Sequence, residues 1–301
     1  MPALGALFAT RQMNKAPARY SDRWLRPLEG QSHRIETSDG ASLLAIEAGS
    51  GPPVLLVHGL SASRNFWAPT VQSLLALGHR VIAIDQRGHG LSTVGTEGFT
   101  EEAPADDLAS VIIGLELTDT ILVGHSFGGV AAQCLLVHRP ELAARLSHVV
   151  YVASLSAAVP ASRHAVRVDA SRFVLPLLRR PNLARLATRS TFGSGSTRAE
   201  IDFAISTGDA NSEPMVEAAT RFLATLDLTS RLRQSIRVPS TVVVGTTERL
   251  TPLATNQVLA DCVGASLVSF TGAGHQLPLE RPLELAKLVH TIRAPTATVS
   301  R

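Results

Sequence analysis

The sequence predicts an α/β protein built on a mostly parallel β-sheet with helices on both faces. Seven apolar runs of strand length, rich in Val and Ile, recur along the chain, most of them with consecutive rather than alternate apolar residues. That is how strands buried on both faces read. Segments of helical period separate most of them, as the crossovers of a parallel sheet require. The alternation breaks once, between "YVASL" and "IRVPS", where helical fragments and prolines replace buried strands. That break predicts a helical insertion standing above the sheet.

The elements follow in order. Met1 to Gly30 carries Arg11, Lys15, Arg19, Arg23 and Arg26, and residues 1–31 read as a basic extension held loosely on the body. Its apolar "ALGALFAT" is far shorter than the roughly 18–20 residues of a membrane span, and no basic region precedes it as a secretory signal requires. The expected location is the cytoplasm. The strands are "LLAIEAG", "PVLLVHG", "RVIAID", "TILVGHS", "HVVYVAS", "STVVVGT" and "SLVSFTG", with helices at "RNFWAPTVQSLLALG" and "EAPADDLASVIIGL". Residues 32–153 and 236–301 therefore form the core, and residues 154–235, punctuated by Pro160, Pro176, Pro181, Pro214 and a "GSGS" at Gly193 to Ser196, form the inserted cap.

Hydrophobic residues at 45% and charged residues at 18% of 301 positions describe a globular chain rather than a disordered one. A net charge of +3 with 4% aromatics is too mild for a nucleic-acid surface, which needs a basic face and stacking rings. Cys134 and Cys262 sit in apolar surroundings without paired spacing and read as buried free thiols.

Ligands of such sheets bind beyond the carboxyl ends of the strands, and the chemistry-bearing residues gather there. "GHSFG", Gly124 to Gly128, follows the apolar "TILV" and precedes the helical "GVAAQCLLVH". In that context G-x-S-x-G is a strained strand-to-helix turn that lifts Ser126 above the sheet, with a helix N-terminus behind it. A serine hydroxyl needs a general base, and the base needs an orienting acid. His275, in the glycine-rich "FTGAGHQLPLE" after the last strand, is the expected base, and Glu248, in "TTERLTP" after the strand before it, is the expected acid. Glutamate departs from the commoner aspartate at such a place but is an allowed choice.

"LLVHGLSAS" supplies the other half of the site. Gly59 lets the backbone turn toward the pocket, so the N–H groups of Leu60 and Phe127 are the expected oxyanion donors. Gly59, His125 and Trp67 are expected around the substrate. His125, though next to the serine, is not the base. His58 reads as a hydrogen bonder holding its loop, and "DQRGHGLS", Asp85 to Ser92, as a network fixing a turn.

Together "VHGL", "DQRGHGLS", "GHSFGG", "TERLTP" and "GAGHQLPLE" occur in an order and at separations that resemble the α/β-hydrolase family. The resemblance covers about Ser32 to Ala294. It implies an eight-stranded sheet with a helical cap between the sixth and seventh strands, and a triad of Ser126, His275 and Glu248.

Position 126 is Ser, which argues against the epoxide hydrolases and dehalogenases of this family that use Asp. No metal-ligand or dinucleotide motif is present, so neither a cofactor nor a metal is expected. The fold hosts many reactions. The leading expectation is a serine esterase acting on a small-molecule ester with an apolar acyl part. Thioester or carbon–carbon bond hydrolysis on the same triad, and a ligand receptor with slow residual hydrolysis, are the alternatives. Arg172, Arg179, Arg180, Arg185, Arg189 and Arg198 interleave with apolar residues where no acid intervenes, which raises the expectation of peripheral lipid contact.

Overall fold

The computed structural model of the chain describes residues 26–159 and 181–293. Arg11, Lys15, Arg19 and Arg23 of the basic extension, and Arg172, Arg179 and Arg180 of the insertion, lie outside the described residues.

Eight strands form one sheet in the order β1-β2-β4-β3-β5-β6-β7-β8. They are β1 (Gln31–Glu36), β2 (Ser42–Ala48), β3 (Pro53–Val57), β4 (Arg80–Ile84), β5 (Thr120–His125), β6 (Leu146–Val152), β7 (Ser240–Gly245) and β8 (Ser266–Phe270). β1 and β2 run antiparallel at one edge, and every pairing from β4 to β8 is parallel. β1 is an addition to the seven apolar runs. Only Ile35 among its residues is buried, so it lacks the apolar signature of an interior strand.

The central strands are apolar throughout because each face meets helices. In β3, Val54 and Leu56 pack into a cluster with Val71 and Leu74 of α1 (Ala68–Ala76) and with Leu285 and Val289 of α10 (Pro282–Arg293). Leu55 and Val57 point the opposite way. They belong to the cluster on the opposite face, which also holds Leu108 and Ile112 of α2 (Ala103–Gly114), Val130 of α3 (Phe127–His138) and Leu259 of α8 (Leu253–Val263). Burying a Val or Leu side chain contributes about 1.5–3 kcal/mol. The double-sided core thus explains both the composition of the strands and the rigidity of their carboxyl ends.

Between β6 and β7 the described chain forms α4 (Pro181–Thr191), α5 (Arg198–Ser206), α6 (Glu213–Thr225) and α7 (Thr229–Gln234). α5 starts at a capping box: Thr197 accepts from the Glu200 N–H, and the Glu200 carboxylate accepts from the Thr197 N–H. The two ends of the insertion meet at its base, where Ala158 N–H donates to Leu226 O and Leu228 N–H to Ser156 O, each at 2.8 Å. Among the described residues no helix is long and apolar enough to cross a membrane.

Candidate active site

β5 runs directly into α3 through Ser126, whose φ of 51° and ψ of −114° are unusual for a residue with a side chain. Such a conformation costs on the order of 1–3 kcal/mol and persists only where surroundings impose it. Ser126 N–H donates to Val152 O at 2.8 Å, and the Ser154 hydroxyl donates to Ser126 O at 2.9 Å. The turn is tight enough that a Cβ on Gly124 would lie 2.4 Å from Gly128 O, and one on Gly128 would lie 2.2 Å from Val57 O. Only glycine fits at either place.

Two loops bring Glu248 and His275 together. Glu248 follows β7 and His275 follows β8; both are buried, and His275 Nδ1–H donates to Glu248 Oε2 at 2.8 Å. The other carboxylate oxygen accepts from Leu250 N–H at 2.6 Å and Thr251 N–H at 3.1 Å. Burial pushes the Glu248 carboxyl up. The charge and hydrogen bond of His275, with the Thr251 and Leu250 N–H groups, outweigh that, and its pKa lies below the ordinary carboxylate value. With Nδ1 committed to Glu248, Nε2 of His275 is the nitrogen left for a proton transfer.

Ser126 and His275 line one cavity of about 990 Å³ with Gly59, Leu60 and His125. Leu155, Val159, Ile205 and Leu223 give it apolar walls. The N–H of Phe127, first in α3, has no intrahelical acceptor. Among the described residues neither it nor the Leu60 N–H finds another protein acceptor. Both expected oxyanion donors are therefore uncommitted.

His125 lines the cavity but is buried, and its Nε2–H donates to the carbonyl of His275 at 2.8 Å. Burial pushes its pKa well below the ordinary histidine value, and nearby His275 adds to the effect. It is therefore a neutral donor to the backbone of His275. Trp67 corrects an expectation. It is fully buried beneath the site, its ring edge-on to His125 at 6.4 Å, and the cavity is lined instead by its neighbour Phe66, stacked on His125 at 4.9 Å. Consecutive residues of a 3₁₀ turn point about 120° apart, so only one of the two faces the cavity.

His58 holds its loop: Nδ1–H donates to Gly59 O at 2.7 Å, Nε2 accepts from Gln86 N–H at 3.1 Å, and Gln86 Nε2 donates to His58 O at 2.6 Å. Burial lowers its pKa to about 3, with His89 adding to the effect. In "DQRGHGLS", Asp85 accepts from Arg64 N–H at 2.7 Å and Leu91 N–H at 2.9 Å and pairs with the Arg64 guanidinium. Arg87 bridges Asp39 and Asp107 at 2.9 and 2.6 Å. The segment fixes the turn beneath the loop that carries Gly59 and Leu60.

Glu280, which the sequence reading passed over, is buried beside the His275 loop and accepts hydrogen bonds from the backbone of Gly274 and of Gly193 in the cap. No local pattern marks it, because its role depends on Gly193 and Gly274 coming together from distant parts of the chain.

Of the insertion's arginines, Arg185 and Arg198 pair with Asp202, and Arg189 donates to the carbonyls of Phe192 and Gly193. Among the described residues no three metal-ligating side chains converge. Cys134 and Cys262 are buried free thiols, and burial raises the Cys134 pKa to about 12.

This arrangement is that of the alpha/beta hydrolase family. The family model matches residues 54–288, and the chain belongs to that family. Among curated proteins it is 38% identical over 93 residues to non-heme chloroperoxidase CPO-A1 of Kitasatospora aureofaciens, covering 31% of this chain and 34% of that protein. The match to the first such relatives thus spans about a third of their length. A putative carbamate hydrolase, RutD of Variovorax paradoxus, is 30% identical over 222 residues, covering 70% of this chain and 79% of that protein. A thermophilic esterase from Thermogutta terrifontis superposes with a TM-score of 0.72 at 26% identity, covering 87% of this chain and 97% of that one.

Proposed function

We propose that the protein is a serine hydrolase that cleaves a carboxylic ester through an acyl-enzyme. The observation that carries this reading is the buried Glu248–His275 pair opening onto the same cavity as a serine held in a strained turn. In this reading His275 Nε2 takes the Ser126 proton as Oγ attacks the ester carbonyl, and Glu248 holds the imidazole in the required tautomer. The N–H groups of Leu60 and Phe127 meet the developing oxyanion, a donor pair of which each member is worth about 3–4 kcal/mol in the transition state. His275 then gives the proton to the leaving alcohol. Water activated by the same imidazole releases the acid and restores Ser126.

The apolar walls formed by Leu60, Leu155, Val159, Ile205 and Leu223 favour a substrate with an apolar acyl part. The esterase title of the Thermogutta structure agrees with ester cleavage. The chloroperoxidase name of the Kitasatospora relative favours a second acceptor for the acyl group, so the assay includes hydrogen peroxide beside water.

A panel of p-nitrophenyl esters from acetyl to dodecanoyl tests the reading, with Ser126→Ala as blank and a fluorophosphonate to label the nucleophile. Hydrolysis that requires Ser126 and a single adduct on that residue are expected. Full activity in Ser126→Ala overturns the assignment. Peripheral lipid contact is a further part of the proposal, and sedimentation with anionic vesicles tests it. Equal turnover of short and medium chains, with no vesicle binding, removes both the apolar preference and the lipid contact.

A further inference from the structure

We propose that Glu280 is a positioning residue that couples cap helix α4 to His275, so that the cap wall against which a substrate lies sets where the imidazole stands. The proposal rests on the reading of His275 as the base.

α4 forms part of the cavity wall through Ala184, Arg185, Ala187 and Thr188. Its last residue, Thr191, accepts the backbone N–H of His275 itself at 2.7 Å, and its hydroxyl accepts from Gln276 Nε2 at 2.8 Å. Two residues further, Gly193 N–H donates to Glu280 Oε2 at 2.8 Å. From the other side, Gly274 N–H donates to Glu280 Oε1 at 3.0 Å and Oε2 at 3.2 Å. A single carboxylate, 2% exposed, therefore grips both the chain leaving α4 and the residue before His275.

No flexible side chain separates the two strands of this seam. A Cβ on Gly193 would lie 2.0 Å from Gly272 O, and one on Gly274 would lie 2.6 Å from Gly193 N. Backbone packs on backbone, with Phe192 and Leu279 filling the space below against Phe66 and Ile201. Hydrogen bonds to a carboxylate away from water are stronger than those between neutral groups. A displacement of α4 therefore has nothing compliant to absorb it before it reaches the His275 N–H. Misplacing a catalytic group by about 1 Å costs roughly 10²-fold, so a ligand that presses on α4 changes kcat as well as KM. Chain-length preference is expressed in turnover through this seam, beyond what wall contacts alone give.

Glu280→Gln replaces one acceptor oxygen by an amide that faces N–H donors. kcat and KM are measured for p-nitrophenyl acetate and octanoate, each divided by the concentration of fluorophosphonate-reactive sites, so that a loss of folded protein cancels. The expected result is a loss of kcat of about tenfold or more on octanoate, under threefold on acetate, with KM changed less than kcat. Equal losses on the two esters, or losses within twofold on both, overturn the coupling. Should Glu280→Gln fail to fold, the isosteric Thr191→Val at a half-buried position removes the hydroxyl acceptor of Gln276. A loss at least threefold larger on octanoate than on acetate is then expected, and equal values overturn the proposal. A parent protein that the fluorophosphonate leaves unlabelled overturns the serine-hydrolase reading, and the coupling with it; labelling with no chain-length dependence overturns the coupling alone.

Discussion

At the scale of the residue, Ser126 is held in a strained backbone conformation. Its φ of 51° and ψ of −114° suit glycine better than any residue with a Cβ. Ser126→Gly is therefore expected to unfold at higher urea than Ser126→Ala, by about 1–2 kcal/mol, while both are inactive on esters. Glu248→Gln keeps the shape of the acid but allows the wrong imidazole tautomer, and a drop in kcat of roughly 10³- to 10⁴-fold is expected with KM little changed. Ser126, His275 and Glu248 could be read from the sequence because each stands beside a glycine turn or follows a strand whose apolar run is plain. Glu280 could not. Its significance depends on Gly193 lying against Gly274, a contact between segments far apart in the chain that no local pattern records.

At the scale of the element, the elbow works because β5 and α3 approach more closely than ordinary residues allow. Gly128→Ala would press a methyl group onto Val57 O of the neighbouring strand. An overpacked core costs about 1–3 kcal/mol, so thermal unfolding is expected to show a lower Tm, together with loss of the proposed p-nitrophenyl ester hydrolysis, since Phe127 N–H and Ser126 move with the helix start. Interior strands announced themselves by apolar runs, since their two faces both need covering. β1 did not, because Ile35 is the one apolar residue of QSHRIE and the strand takes its place by pairing with β2, whereas β8 at the other edge keeps Leu267, Val268 and Phe270. The Arg64–Trp67 turn shows the same limit at finer grain. Two aromatic residues side by side are equally good candidates for a pocket until the turn that carries them decides that Phe66 faces the cavity and Trp67 the core.

At the scale of the whole molecule, several histidines are locked inside in the neutral form, and this sets how the fold answers to acid. Burial lowers the pKa of His58 to about 3, and shifts His89 and His125 in the same direction. Their ordinary value in an unfolded chain is about 6.5. Below that pH the unfolded state takes up protons that the folded state refuses, so unfolding becomes easier as the pH falls. For His58 the window runs from about pH 6.5 down to about pH 3, at a cost on the order of 1 kcal/mol per pH unit. Urea unfolding at pH 7, 6 and 5 is expected to show falling stability, and His58→Gln to give a flatter dependence over the same range. A parent whose stability is constant across it would exclude these histidines as the source.

The base of the insertion has a consequence for how such a molecule can change. Ala158 and Leu226, and Ser156 and Leu228, are clasped to each other before the chain re-enters the sheet, so the intervening length is a closed side-loop. The entropy of closing such a loop grows only with the logarithm of its length, roughly 0.6 kcal/mol for each doubling. The eight strands meet the insertion at the clasp, while its other backbone contacts fall on loops above the sheet, where Thr191 O accepts from His275 N–H and Ser212 N–H donates to Gly88 O. A change in the length of those helices leaves the pairing of the eight strands as it is, provided the contacts on the loops are kept. The seam at Glu280 is what such a change would have to keep.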